Sequence, residues 1–162
     1  MTAAPAQQFL QTIQNGFKYR LFLLKNLPAA YFSGVRLQSA SPEHCTATVP
    51  YKWATKNPFR STYFACLAMA AEMSTGVLAM AHLQGRQPRV SMLVVGMESK
   101  FYKKATGITF FTCREGVAIK EAVEAAVQTG AGQTVRVQTT GTNGDGEVIA
   151  EFWFTWSFRQ KG

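Results

Sequence analysis

Residues 57–83 read NPFRSTYFACLAMAAEMSTGVLAMAHL, and this stretch decides the fold. From Ser61 to Ala81 the one side chain charged at neutral pH is Glu72, while Ala65, Ala68, Ala70, Ala71, Ser74 and Gly76 are small enough for neighbours to approach closely. A helix that is apolar all round must be buried. Asn57 to Leu83 is therefore expected to form a buried central helix that carries one carboxylate. A membrane span would have the same length. The mid-helix acid, the alanine content and the amphipathic segments elsewhere argue instead for the core of a folded protein, with no membrane span.

Upstream, Phe9, Leu10, Ile13, Phe17, Leu21 and Leu24 recur at three and four residue spacing, which predicts a helix over Ala6 to Lys25 that Pro28 stops. Residues 1–28 are thus an N-terminal helical extension to a single domain spanning 1–162. Gly34 to Ala40 and Cys45 to Tyr51 predict a hairpin through Ser41-Pro42-Glu43-His44. Downstream, Val90 to Tyr102 and Ile108 to Arg114 are expected to form a long antiparallel pair across Ala105-Thr106-Gly107. Ile119, Val123 and Val127 give a short surface helix with Gly130 at its C-cap.

The final segment alternates, with Val148, Ala150, Phe152, Phe154, Trp156 and Phe158 on the face expected to be core. Gly132 to Thr140 should pair with it through the glycine-rich loop 141–146. The order is helix, two strands, buried helix, two strands, short helix, two strands. A single antiparallel sheet wrapped around the central helix buries every apolar face in that order, an α+β architecture.

A chain that is 47% hydrophobic and 16% charged folds without disulfides or a structural metal. Cys45, Cys66 and Cys113 form no C-x-x-C pair and are odd in number, which fits buried thiols in a reducing, cytoplasmic setting. Met1 to Gln8 lacks the basic and apolar regions of a signal peptide. The net charge of +8 favours an anionic partner, but basic residues are scattered, with Lys100, Lys103 and Lys104 as the nearest approach to a cluster. No nucleic-acid surface is expected, because aromatics do not alternate with basic residues on a strand. His44 and His82 have no metal-spaced companions, and there is no serine elbow, phosphate loop or dinucleotide fingerprint.

The element order resembles the hot-dog fold of acyl-CoA thioesterases, and two stretches carry the likeness. Asn57, Glu72 and Gly76 match the spacing of the family's Asn, helix acid and following Gly. Met97-Glu-Ser-Lys-Phe-Tyr-Lys-Lys-Ala-Thr-Gly107 is similar to its aromatic strand and turn. The N-terminal helix and the helix before the last two strands resemble a subgroup of uncharacterised thioesterase domains. Where the phenylacetyl-CoA type carries H-G-G, this chain has Tyr63-Phe64-Ala65.

The resemblance implies a thioester hydrolase acting on acyl-CoA, with no cofactor beyond the coenzyme A of the substrate. It also implies a homodimer or dimer of dimers whose sites are shared between subunits. Glu72 would be general base or nucleophile, or else a core carboxylate that holds the helix in register. Asn57 would orient water or the oxyanion, or simply turn the chain before Pro58. Tyr63 would donate its phenol to the substrate carbonyl, or pack with its hydroxyl satisfied elsewhere, and Phe64 would be a substrate-binding position that brings bulk where the family has glycine. Arg60, Lys103 and Lys104 would meet the phosphates of coenzyme A, or remain solvated. The competing function is a non-catalytic acyl-binding or regulatory protein, consistent with the missing H-G-G.

Overall fold

The computed structural model describes residues 4–161; residues 1–3 of the expected leaderless N-terminus lie outside them. Three helices, α1 (Pro5–Gln14), α2 (Gly16–Asn26) and α3 (Pro28–Ser33), precede the hairpin β1 (Arg36–Ala40) and β2 (Cys45–Val49). A 3₁₀ turn at Trp53–Thr55 leads to α4 (Phe64–Leu83). Then follow β3 (Val90–Phe101), β4 (Thr109–Cys113), α5 (Gly116–Thr129), β5 (Gln133–Thr142) and β6 (Val148–Gln160). The six strands form one antiparallel sheet in the order β1-β2-β4-β5-β6-β3, wrapped around α4.

The alternation in β6 holds from Ala150 onward, but Val148, expected on the core face, is exposed and Ile149 beside it is buried. Ala150, Phe152, Phe154, Trp156 and Phe158 are buried against α4, and Trp156 Nε1 donates to Thr75 Oγ1 of that helix at 3.0 Å. Ser74 and Thr139 bond across the same interface at 2.8 Å, so these polar side chains inside the core are paired. Long and apolar enough to cross a membrane, α4 is instead mostly covered by the chain's own sheet and helices. The three cysteines are free and buried.

Three further expectations are corrected. The helix expected over Ala6 to Lys25 is two helices, because Asn15 caps α2 by accepting from Lys18 N at 3.1 Å. α2 ends at Asn26, just ahead of Pro28 as expected, and Pro28 itself begins α3, where its missing N–H costs nothing. The central helix begins at Phe64 rather than Asn57, since Pro58 and the turn it sits in close on themselves. The expected pairing of Val90–Tyr102 with Ile108–Arg114 does not form: β3 pairs with β6, and β4 lies between β2 and β5. Length decides this, since a twelve-residue strand satisfies its ladder against the thirteen residues of β6 and not against the five of β4.

A bulge at Val95 shifts β3 by one residue, since Val94 opposes Trp156 while Gly96 opposes Thr155. Val90, Met92 and Val94 therefore share the inner face with Met97, Ser99 and Phe101. The switch aims Phe101 at the start of α4. At the far end, Gly130 caps α5 in the left-handed conformation, as expected. A Cβ on Gly116 would sit 2.1 Å from the Pro42 carbonyl oxygen and 2.8 Å from backbone atoms of Glu43. Gly116→Ala is expected to lose about 2 kcal/mol or more in urea unfolding, because backbone on both sides must move.

Candidate active site

The site is built from the segment ahead of α4. Asn57 Oδ1 accepts from the N–H of Phe59 at 2.9 Å and of Ser61 at 3.2 Å, and Asn57 N donates to the Ser61 carbonyl at 2.9 Å. Asn57 Nδ2 donates to Ser61 Oγ at 3.1 Å. This ring of bonds holds a tight loop in which Arg60 takes a positive φ of 60°. Asn57→Ala removes the acceptor for two N–H groups and is expected to cost about 1–2 kcal/mol in denaturant unfolding.

The loop delivers the chain to α4 with its first turn open. Tyr63 N donates to Thr55 O, and Cys66 N and Leu67 N both donate to Tyr63 O. Among the described residues, the N–H groups of Phe64 and Ala65 have no acceptor. They lie at the positive end of a twenty-residue helix with no acidic residue in its first turn.

Beside this helix start is a cavity of about 500 Å³ whose wall includes Asn57, Tyr63, Phe64, Phe101, Lys103 and Lys104. Phe64 meets Tyr63 edge-to-face at 5.0 Å and Phe101 at 6.5 Å, so the wall is largely aromatic. Lys103 is ion-paired with Glu147, and Lys104 Nζ donates to Phe59 O at 3.3 Å. The structure thus brings five of the expected residues to one cavity. Arg60 is exposed and outside its wall.

Glu72 is also outside that wall. It is half-buried on the α4 face that carries Ala65, Ala68 and Met69, all incompletely covered. One carboxylate oxygen lies over Gly76, where an added Cβ would be 2.7 Å away. Glycine at this position makes room for the acid. Burial pushes the Glu72 carboxyl above the usual carboxylate range, and among the described residues its oxygens have no hydrogen-bond partner.

Tyr19 of α2 is a neighbour that the sequence did not single out. Burial raises its phenol pKa, with the Cys45 thiol and the Glu72 carboxylate adding to the effect, and its hydroxyl is buried without a partner among the described residues. The spacing in the sequence pointed to Phe17, Leu21 and Leu24 as the apolar stripe here, and the structure turns Tyr19 and Leu23 inward instead. His82 Nε2 donates to the Pro42 carbonyl at 2.9 Å, a structural use of that side chain.

A domain of unknown function, DUF4442, matches residues 20–158. No curated protein sequence matches the chain. Among solved structures, a Pseudomonas aeruginosa protein of unknown function, described as a probable thioesterase, is 22% identical, with a TM-score of 0.75 over 90% of this chain and 96% of that one. A Chlorobaculum tepidum protein of unknown function is 14% identical, with a TM-score of 0.77 over 96% of this chain and 100% of that one. A Haemophilus influenzae thioesterase is 11% identical, with a TM-score of 0.61 over 86% of this chain and 88% of that one. With its sheet wrapped around α4 and a family match across most of its length, the chain belongs to the DUF4442 family and has the hot-dog fold.

Proposed function

We propose that the protein is a thioester hydrolase acting on acyl-CoA. The observation that carries this reading is the open start of α4, where the unpaired N–H groups of Phe64 and Ala65 adjoin a cavity with an aromatic wall and two lysines. Donors of this kind, fixed at a helix N-terminus, suit the oxyanion that forms when a thioester carbonyl is attacked. The amide hydrogens supply what the absent H-G-G would have supplied. The aromatic wall suits an acyl group, and Lys103 and Lys104 suit the phosphates of coenzyme A. Thioesterases among proteins of the same fold support the reaction class.

Glu72 is the base in this scheme. Eight residues separate it from Phe64, roughly 12 Å along the helix axis, too far for both to reach one carbonyl. A complete site therefore pairs the Phe64 amide of one protomer with Glu72 of a second. The unpaired edge of β3, with Leu93, Val95 and Met97 exposed along it, is the edge at which two sheets would join. Glu72 takes a proton from water as its oxygen bonds to the thioester carbon. Collapse of the oxyanion breaks the carbon–sulfur bond, and the departing thiolate receives the proton.

Thiol release from a panel of acyl-CoAs, followed with a thiol reagent alongside gel filtration, tests the scheme. Release by a dimer or larger assembly supports it, and a monomer that turns over would remove Glu72 of a second protomer from the site. Acyl binding without turnover is the second reading, favoured by the position of Glu72 outside the cavity wall. It predicts a retained acyl ligand in native mass spectrometry and no thiol release.

A further inference from the structure

The surface of α2 is inverted for a helix of a water-soluble domain. At about 100° per residue, Tyr19 and Leu23 point inward, and Phe17, Leu21 and Leu24 form a stripe on the opposite side. All three are exposed, Phe17 at 79% and Leu21 at 57%. Lys18 and Lys25, seven residues apart, flank the stripe on one side, and Arg20 flanks it on the other. In the next helix Phe32 is also exposed, at 63%. The first 42 residues contain Lys18, Arg20, Lys25 and Arg36, and the first carboxylate side chain is Glu43.

Arg20 leads from the stripe into a cavity of about 310 Å³ that Arg36 and Lys52 also line, with no acidic residue in its wall. The Arg20 guanidinium lies 4.5 Å over the Tyr31 ring, and its Nη1 is buried with no acceptor among the described residues. None of the three cations forms an ion pair among the described residues. Three like charges held together, with one guanidinium nitrogen unsatisfied, suit an oxyanion.

We propose that the N-terminal helices dock the protein on anionic phospholipid, with Phe17, Leu21 and Leu24 entering the headgroup boundary and Arg20, Arg36 and Lys52 receiving a lipid phosphate. An apolar stripe bordered by cations is the arrangement of a helix lying in a membrane interface, where the lysine stems run along the apolar side and their ammonium groups reach lipid phosphates. A second copy of the chain is a poorer occupant. Two-fold pairing of this face would set Lys18, Arg20 and Lys25 against their own copies without a carboxylate between them. Docking does not depend on hydrolysis.

Co-sedimentation of the full chain tests this with vesicles of phosphatidylcholine alone and with about one-third phosphatidylglycerol added. The protein should pellet with the anionic vesicles, much less with the neutral ones, and less as salt is raised. Phe17→Ser with Leu21→Ser, and separately Arg36→Gln with Lys52→Gln, should each weaken vesicle affinity by about tenfold or more without lowering the melting temperature, since these side chains are exposed. Failure to pellet, equal pelleting with neutral vesicles, or an unchanged Ser variant overturns the proposal. So does a Ser variant that elutes from gel filtration as a smaller species than the wild type, which assigns the stripe to contact between copies. Inorganic phosphate that raises the melting temperature while vesicles capture nothing also overturns docking and leaves a site for a soluble anion.

Discussion

Glu72→Gln is expected to lower acyl-CoA hydrolysis by about 10²–10⁴-fold, the range for loss of a general base, and to raise thermal stability at neutral pH. The two effects share one cause. Burial lifts the Glu72 carboxyl above the usual range, and among the described residues its carboxylate oxygens have no hydrogen-bond partner. Between the unfolded and folded pKa values the folded state holds more protons than the unfolded chain, so stability falls as pH rises through that window. Gln removes the buried charge and with it the fall. Hydrolysis by the wild type should move the other way, rising with pH as Glu72 loses its proton. Melting curves and rate profiles across the same pH range check both. Hydrolysis that survives the substitution removes Glu72 from the mechanism. A loss of stability instead identifies a carboxylate that the fold requires.

Phe152→Ala is expected to cost about 3–5 kcal/mol, as deletion of a fully enclosed aromatic ring does, and to disturb the cavity wall through Phe101, the wall ring it touches. Phe152 is 0% exposed. It stacks on Phe154 at 6.0 Å and meets Phe111 and Phe101 edge-to-face, each at 5.6 Å. Phe101 in turn meets Phe64 at the start of α4. Removing the central ring leaves Phe101 without its backing, so substrate KM should rise along with the loss of stability. Urea unfolding gives the first quantity, and initial rates on the best acyl-CoA give the second. A cost near 1 kcal/mol would mean that the neighbouring rings close the gap.

Of the candidate site, the sequence made the residue types legible and the spacing from Asn57 to Glu72 to Gly76 visible. Gly76 has a spatial reason, since the carboxylate of Glu72 occupies the volume a Cβ would need. Asn57 was open between orienting and turning, and its bonds to Phe59 and Ser61 show the turn it makes. Its position in the cavity wall was invisible from the chain order. The distance along α4 between Phe64 and Glu72 follows from helix geometry, yet it acquires meaning only beside a cavity that contains one and not the other.

Local chemistry fixed the elements themselves: the apolar run of α4, the alternation in β6, the stop at Gly130 and the order of strands and helices along the chain. These follow from side-chain periodicity and turn residues, which act over a few neighbouring positions. The tertiary structure decided which strands pair, where α4 begins, and that Asn15 splits the first helix. Ladder hydrogen bonds are satisfied between segments far apart in sequence, so β3 takes the partner whose length matches it rather than the strand that follows it. The same long-range packing turned Phe17, Leu21 and Leu24 outward. In the sequence they shared a single apolar periodicity with Phe9, Leu10 and Ile13, and the break at Asn15 and Gly16 gave the two halves of that pattern different faces.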